Sequence, residues 1–158
     1  MPLYFAYGAN MDRAQMAARC PRSAPLGLAR LMRHRLGIMR EGWLTVVRDP
    51  RAQVHGVLWN LALADVPALD RFEGVGERLY VKAVQPVVTE NGAKRALVYL
   101  GTNAGPGKLR ADYLAAILAA ARGWEQPPEA IAALGRLVTA GGGSGALSPT
   151  AGNWPRAR

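Results

Sequence analysis

Two short stretches combine residue types able to hold an anion and to move a proton. The first, Tyr4-Phe5-Ala6-Tyr7-Gly8-Ala9-Asn10-Met11, is an apolar and aromatic run that stops at a glycine and an asparagine. Read locally, it is a strand buried on both faces, then a tight loop, then a helix start with Asn10 as N-cap and Asp12 in the first turn. A helix start leaves backbone N–H groups without intrahelical partners, and these suit a small anion such as a carboxylate. The same pattern also serves as a plain strand-to-helix connection with no ligand. The second stretch, Ala64 to Val75, contains Asp70-Arg71-Phe72-Glu73-Gly74 near its end. At about 100° per residue, Val66, Leu69 and Glu73 share one helix face, while Ala68 and Arg71 point away. A carboxylate on the apolar face is either satisfied by local donors or disfavoured as an anion by desolvation, the condition for a general base working near neutral pH. The plainer alternative is a glutamate at a fraying helix end, leaning into solvent.

The surrounding sequence supplies the elements that would position these groups. Asp65 reads as the N-cap of the Glu73 helix, Pro67 is tolerated in its first turn, and Gly74 can close it. Pro21 to Pro25 reads as a loop, and Gly27 to Met32 with Arg35 to Arg40 as one or two strands. Leu44 to Arg48 is a strand closed by Asp49-Pro50, and Gln53 to Leu61 is a long central strand. His55, with no acidic neighbour in sequence, reads as a packed or rim imidazole. Leu79 to Val88 and Lys94 to Gly101 form an antiparallel hairpin signalled by Asn91-Gly92, with Pro86 expected at an edge or bulge. Thr102 to Lys108 is a Gly/Pro-rich loop. Leu109, Tyr113, Ala116, Ile117, Ala120 and Trp124 form the apolar stripe of a further helix, in which Tyr113 is first of all a core residue. Pro127-Pro128-Glu129 opens a last helix with Ile131, Leu134, Leu137 and Val138 inward. Residues 1–140 thus form one domain, and residues 141–158 a Gly/Pro-rich tail whose Trp154 could dock.

Composition narrows the class of function. The 158 residues are half hydrophobic, yet no apolar run approaches a membrane span. The first residues are too polar for a signal peptide, so a soluble, cytoplasmic protein is expected. Cys20 is the only cysteine, and with His34 and His55 apart from it there is no metal-ligand cluster; no metal is expected. Lys and Arg number 20 against 11 Asp and Glu, giving a field that attracts anions. Arg30, Arg33, His34, Arg35 and Arg40 form the densest basic run, but the other arginines are dispersed and no nucleic-acid-binding signature accompanies them. No nucleic-acid partner is expected.

Taken together, YFAYGANM, the downstream LDRFEGV, the tyrosine of RLYV and the ADY of the late helix resemble the γ-glutamylcyclotransferase family, with its AIG2-like and butirosin-pathway relatives, over roughly residues 3 to 125. The resemblance implies an α+β fold, a mixed β-barrel flanked by helices. It implies a cofactor-free enzyme that cyclises a γ-glutamyl group to 5-oxoproline and releases an amine or amino acid. Carried over by position, Glu73 would be the catalytic acid/base. Tyr7, Gly8, Ala9 and Asn10 would cradle the substrate, with Tyr4 at the loop's upstream end. Tyr113 would line the pocket, and Tyr80 and Tyr99 are further wall candidates. The family usually has serine where this chain has Ala9, and the segment after Trp124 diverges. The reading from a different class is a non-catalytic protein that binds a small anion on the same fold.

Overall fold

Tyr4, Phe5 and Ala6 are all buried. Successive strand residues face opposite ways, so β1 (Leu3–Ala6) is covered on both faces, as its unbroken apolar run predicts. It pairs antiparallel with β3 (Leu44–Asn60), from Leu3↔Asn60 to Ala6↔Val57. Further antiparallel ladders join β3 to β2 (Ala24–Ile38), β2 to β4 (Tyr80–Thr89), and β4 to β5 (Gly92–Gly101). A parallel pairing at Tyr4↔Leu97 brings β5 back to β1 and closes the barrel in the order β1-β3-β2-β4-β5. Around it lie α1 (Arg13–Arg19), α2 (Val66–Glu73), α3 (Ala111–Gly123) and α4 (Pro128–Gly141). The fold is the mixed α+β barrel with flanking helices that the resemblance implied. This computed structural model describes residues 2–141; the expected tail beyond Gly141, Trp154 within it, and the side chain of Val138 lie outside the described residues.

Several local expectations change once the strands pair. The segment after α1 is not a loop as far as Pro25. Ala24 and Pro25 already pair with Asn60 and Trp59, and β2 runs unbroken to Ile38 through two register shifts, at Pro25/Gly27 and Met32/His34. At the second shift Arg33 adopts φ 61°, and His34 turns inward at 4% exposure with its Nδ1 2.8 Å from the Met32 carbonyl oxygen. The basic run of Arg30 to Arg40 is therefore interrupted by a buried imidazole. Asp49-Pro50 does not end a strand. β3 continues past it, and the ladder jumps from His34↔Arg48 to Met32↔Gln53, so the dipeptide marks a bulge instead. Asp65 does not cap α2 with its side chain, because its Oδ2 accepts hydrogen bonds from Arg22 N at 2.9 Å and Ser23 Oγ at 2.8 Å. The hairpin stands as expected, with Thr89 opposite Gly92, which takes φ 96°. Pro86 pairs with Arg95 of β5 just beyond the two positions where β4 meets β2, so its missing N–H interrupts no β2–β4 pairing. Tyr113, Ile117 and Ala120 of α3 and Leu134 of α4 are buried as their stripes predict.

At Gly56, β3 lies close against β1. A methyl group there would lie 2.4 Å from the Ala6 carbonyl oxygen and 2.6 Å from Phe5 Cζ, and backbone on one side leaves no room to yield. Gly56→Ala is therefore expected to lower the free energy of unfolding by about 1–3 kcal/mol, the usual range for overpacking; urea melts with no measurable change would contradict the close approach. Cys20, at 1% exposure, has its thiol pushed up to about 11, chiefly by burial and then by the Asp65 carboxylate, with Arg19 opposing. At about pH 8 almost none of it is thiolate, the reactive form. Alkylation of the native protein should accordingly be negligible and should appear on unfolding; ready labelling of the native protein would refute the burial.

Candidate active site

The Tyr4–Met11 stretch reaches the site by a sharper route than a strand-to-helix cap. After β1, Gly8 takes φ −126° and ψ −134° and opens a 3-10 turn over Ala9–Met11, in which Met11 N donates to Gly8 O at 3.0 Å. The cap of α1 is Asp12, not Asn10: the Asp12 Oδ1 accepts from Gln15 N at 2.8 Å. Asp12 stands at the correct distance before the helix proper, and the intervening turn carries Asn10 inward to 3% exposure. The Asn10 side chain is thereby released for other partners.

Glu73 arrives from the opposite direction. It is the last residue of α2, and Gly74 follows it in the left-handed region at φ 66° and ψ 37°. Gly74 N donates to Arg71 O and Val75 N to Asp70 O, the pair of bonds that defines a Schellman closure and fixes where the last helical side chain points. Leu69, Phe72 and Glu73 are buried, Val66 is partly buried against the core and Arg71 is exposed, so the helical phase read from sequence holds. Glu73 is 4% exposed, and its Oε1 accepts a hydrogen bond from Asn10 Nδ2 at 3.4 Å, longer than an ordinary N–H···O bond. The same Asn10 Nδ2 donates to the Tyr4 hydroxyl at 3.1 Å.

Tyr4, Phe5, Tyr7, Gly8, Ala9, Asn10, Glu73 and Tyr99 line a cavity of about 10 Å³. Tyr99 is its far wall. The Tyr4 and Tyr99 rings meet edge to face at 5.7 Å, and the Tyr99 hydroxyl donates to Asp70 Oδ1 at 2.7 Å. Burial, and secondly that hydrogen bond, push the Tyr99 hydroxyl far above the ordinary tyrosine range, so it remains a neutral donor. Asp70 also receives Lys82 Nζ at 2.8 Å, which ties α2 to both strands of the β4–β5 hairpin. The Tyr7 hydroxyl donates to the Tyr99 carbonyl at 2.6 Å and fastens the loop to β5. On its other side the turn is gripped by the corner between α3 and α4. Trp124 Nε1 donates to Met11 O at 2.7 Å beneath the Arg13 guanidinium, and Gln126 Nε2 reaches Met11 Sδ at 3.3 Å.

Of the residues singled out from sequence, Tyr4, Tyr7, Gly8, Ala9, Asn10 and Glu73 are brought together, and Tyr99 joins them. Tyr80 and Tyr113 are not in this lining. The Tyr80 hydroxyl donates to Leu44 O, and the Tyr113 hydroxyl accepts from Leu44 N at 3.3 Å, so both are committed to the first residue of β3. Trp124 is legible in sequence only as part of the α3 stripe, and Asp70, Arg19 and Gln126 have no role in that reading. Asp70 lies inside the LDRFEG segment itself, whereas the contacts that Arg19, Trp124 and Gln126 make to the loop reach across 9, 113 and 115 residues.

Two larger hollows, of about 630 Å³ and 550 Å³, lie along β2 and β3 and share His55 in their walls. Burial is the main cause lowering the His55 pKa below the ordinary imidazole value; Arg30 also lowers it and Glu129 opposes. A neutral ring is the result at neutral pH. Glu90 and Lys94 of the larger hollow and Glu129 of the other are exposed, so neither hollow gathers a buried carboxylate with a donor as the smaller cavity does. Among the described residues no group of His, Cys, Asp and Glu is placed to hold a metal ion, and no helix is long and apolar enough to cross a membrane.

The family described as Gamma-glutamyl cyclotransferase, AIG2-like, matches residues 4–124. A γ-glutamylcyclotransferase of Mus musculus is 33% identical over 112 residues, 64% of this chain and 60% of its own length; the Homo sapiens protein of that name is 32% identical over the same shares. The chain thus spans about 60% of the length of these relatives. In three dimensions it is similar to a γ-glutamyl cyclotransferase at a TM-score of 0.78 and 26% identity, covering 97% of this chain and 91% of that one. An uncharacterised Homo sapiens protein gives the same TM-score at 28% identity, with 84% and 85% covered. The matched residues run from Tyr4 through the loop, the Glu73 helix and Tyr99 to Trp124, and the chain belongs to the γ-glutamyl cyclotransferase, AIG2-like family.

Proposed function

We propose that this chain cyclises the γ-glutamyl group of a small amide to 5-oxoproline and releases the amine or amino acid, without a cofactor, with Glu73 as the base and then the acid. The observation that carries the reading is a carboxylate at 4% exposure, hydrogen-bonded by Asn10, in the cavity bounded by the Tyr4–Asn10 loop. A γ-glutamyl substrate holds its own nucleophile, the α-amine, and its own electrophile, the γ-carbonyl carbon. Folding the two together supplies much of the rate through proximity. The α-ammonium gives one proton to Glu73, the freed amine forms a bond to the γ-carbon, and the bond from that carbon to the departing nitrogen breaks as Glu73 returns the proton to it. The second proton that the ring nitrogen sheds follows through the same carboxylate and leaves with the amine as its ammonium. One carboxylate serves both steps. The first N–H groups of a 3-10 turn have no partner within the turn, so those at Ala9 and Asn10 suit either the substrate α-carboxylate or the developing oxyanion.

A cavity of about 10 Å³ holds roughly one water and not a glutamyl chain. Binding therefore parts the loop from the end of α2, across the 3.4 Å contact between Asn10 and Glu73. The substrate then takes the donor that Asn10 offers.

The test is release of 5-oxoproline from γ-glutamyl amino acids, γ-glutamyl-ε-lysine and glutathione. At least one should be turned over, and Glu73→Gln should lower kcat by about 10²- to 10⁴-fold, the usual weight of a positioned acid–base group, with the fold intact. Undiminished turnover by that variant would overturn the role of Glu73, and binding without any turnover would make the chain a small-anion-binding protein. Ala9 is 3% exposed and carries no hydroxyl, so on this reading the loop works through its backbone. Ala9→Ser should shift kcat/KM by no more than about tenfold, the reach of one ordinary hydrogen bond; a larger change would assign substrate orientation to the side chain.

A further inference from the structure

We infer that Arg19 is a positioning residue that sets which way the Asn10 amide faces, and so presents a donor to Glu73. Its consequence for turnover rests on the cyclotransferase reading; its consequence for Asn10 does not. The two ends of an asparagine amide have nearly the same shape and opposite chemistry, one oxygen that only accepts and one NH₂ that only donates. Nothing in the shape of a buried site decides between them. The Glu73 carboxylate, which only accepts, favours the NH₂ on its side, and Arg19, whose guanidinium has five donors and no acceptor, fixes the oxygen on the other. Its Nη1 donates to Asn10 Oδ1, which commits the oxygen and turns Nδ2 toward the Tyr4 hydroxyl and Glu73 Oε1. The reversed amide would set an oxygen against the carboxylate and an NH₂ against the guanidinium, two mismatches at a residue only 3% exposed, where water offers little relief.

Arg19 is itself held for this task. Its Nη2 donates to Gln15 Oε1 at 3.4 Å, one turn earlier on α1, and its guanidinium lies over the Phe72 ring at 3.4 Å from the centroid. Phe72 directly precedes Glu73, so the cation is stacked on the helix that carries the carboxylate while it grips the loop that faces it. A lysine could donate one bond from this position but has neither the planar stack nor the fork.

The test compares Arg19→Met, which keeps an unbranched stem on Phe72 and removes every donor, with Arg19→Lys, Asn10→Ala and the Arg19→Met/Asn10→Ala double variant. Arg19→Met should lower kcat by about 100-fold, the scale of a misplaced reacting group, with a smaller effect on KM. Arg19→Lys should recover part of the loss. In the Asn10→Ala background the loss of Arg19 should add nothing further, because the two act along one path. Independently of turnover, the Asn10 side-chain amide protons of ¹⁵N-labelled protein should show contacts to the Tyr4 ring that disappear in Arg19→Met. Wild-type kinetics and unchanged amide contacts in Arg19→Met, or losses that add independently to those of Asn10→Ala, would overturn the inference. A wild-type chain with no γ-glutamyl turnover would refute the reaction and leave the amide contacts to decide on Arg19. Thermal unfolding identifies a variant that fails to fold, and Arg19→Lys then carries the same comparison.

Discussion

A carboxylate held out of water is the constraint on which the rest of this structure depends. The effective penalty for burying an ion is several kcal/mol even after relaxation, so Glu73 would leave the site if its surroundings allowed it. They do not, because it sits at the last position of α2 and the backbone there is closed by Gly74 at φ 66°. Any residue with a Cβ at Gly74 would be strained by that φ and would crowd Leu79 Cβ at 3.1 Å. One turn before Glu73, Asp70 is held by the Tyr99 hydroxyl and Lys82, so the helix end cannot swing outward without breaking both. Stability drawn from the barrel is used to keep a locally unfavourable group in place, which is the usual arrangement at a working site.

Topology explains why the partners of that carboxylate come from far apart in sequence. Tyr7 reaches Tyr99 across 92 positions and Asn10 reaches Glu73 across 63. The first follows from the closure of the barrel by β1 against β5 at Tyr4↔Leu97, which sets the start of the loop beside the strand bearing Tyr99, and the second from the tie of α2 to the β4–β5 hairpin through Asp70. The walls of the site therefore stand on strands, and the loop between them is fixed at both ends: by Tyr7 to β5, and by Trp124 and Gln126 to the corner that follows α3. Sites carried this way hold their geometry more closely than sites built on free loops.

What could be read from the sequence was whatever local chemistry decides. An unbroken apolar run specified β1, Asn91-Gly92 specified the hairpin, and the phase of Val66, Leu69 and Glu73 put the carboxylate on the apolar face while leaving open a frayed end turned to solvent, which the burial of Glu73 excludes. The misreadings share one cause, a tertiary partner that outbids a local preference. Asn10 and Asp65 are both good caps by type, yet each side chain is taken by groups distant in sequence, Asn10 by Tyr4, Arg19 and Glu73, Asp65 by Arg22 and Ser23. Asp49-Pro50 looks like a strand end because a proline cannot donate to a ladder, but a bulge absorbs it and β3 continues. Tyr113 was legible as a core residue from its helix stripe, whereas Tyr80 entered only through the resemblance, as a wall candidate. That their hydroxyls meet at the backbone of Leu44 depends on how β4 and α3 are brought to the start of β3, which no local pattern encodes.

The smallness of the cavity bears on how such a site could work in the proposed cyclisation. An enzyme whose substrate carries both reacting groups needs little machinery beyond shape and one proton carrier, and the rate then depends on how tightly the folded conformation is enforced. A site with room for only about 10 Å³ must widen to admit a substrate, and on the proposed reading the binding energy used in parting Asn10 from Glu73 no longer appears as affinity. In return, the displaced donor and the carboxylate close on the substrate from opposite sides, with little room for water between them. Exclusion of water matters here, since a γ-carbonyl attacked by water would give glutamate instead of a ring. The interior position of Ala9 fits the same logic: with no hydroxyl in the lining at that point, the loop offers the reacting centre backbone donors and no competing nucleophile.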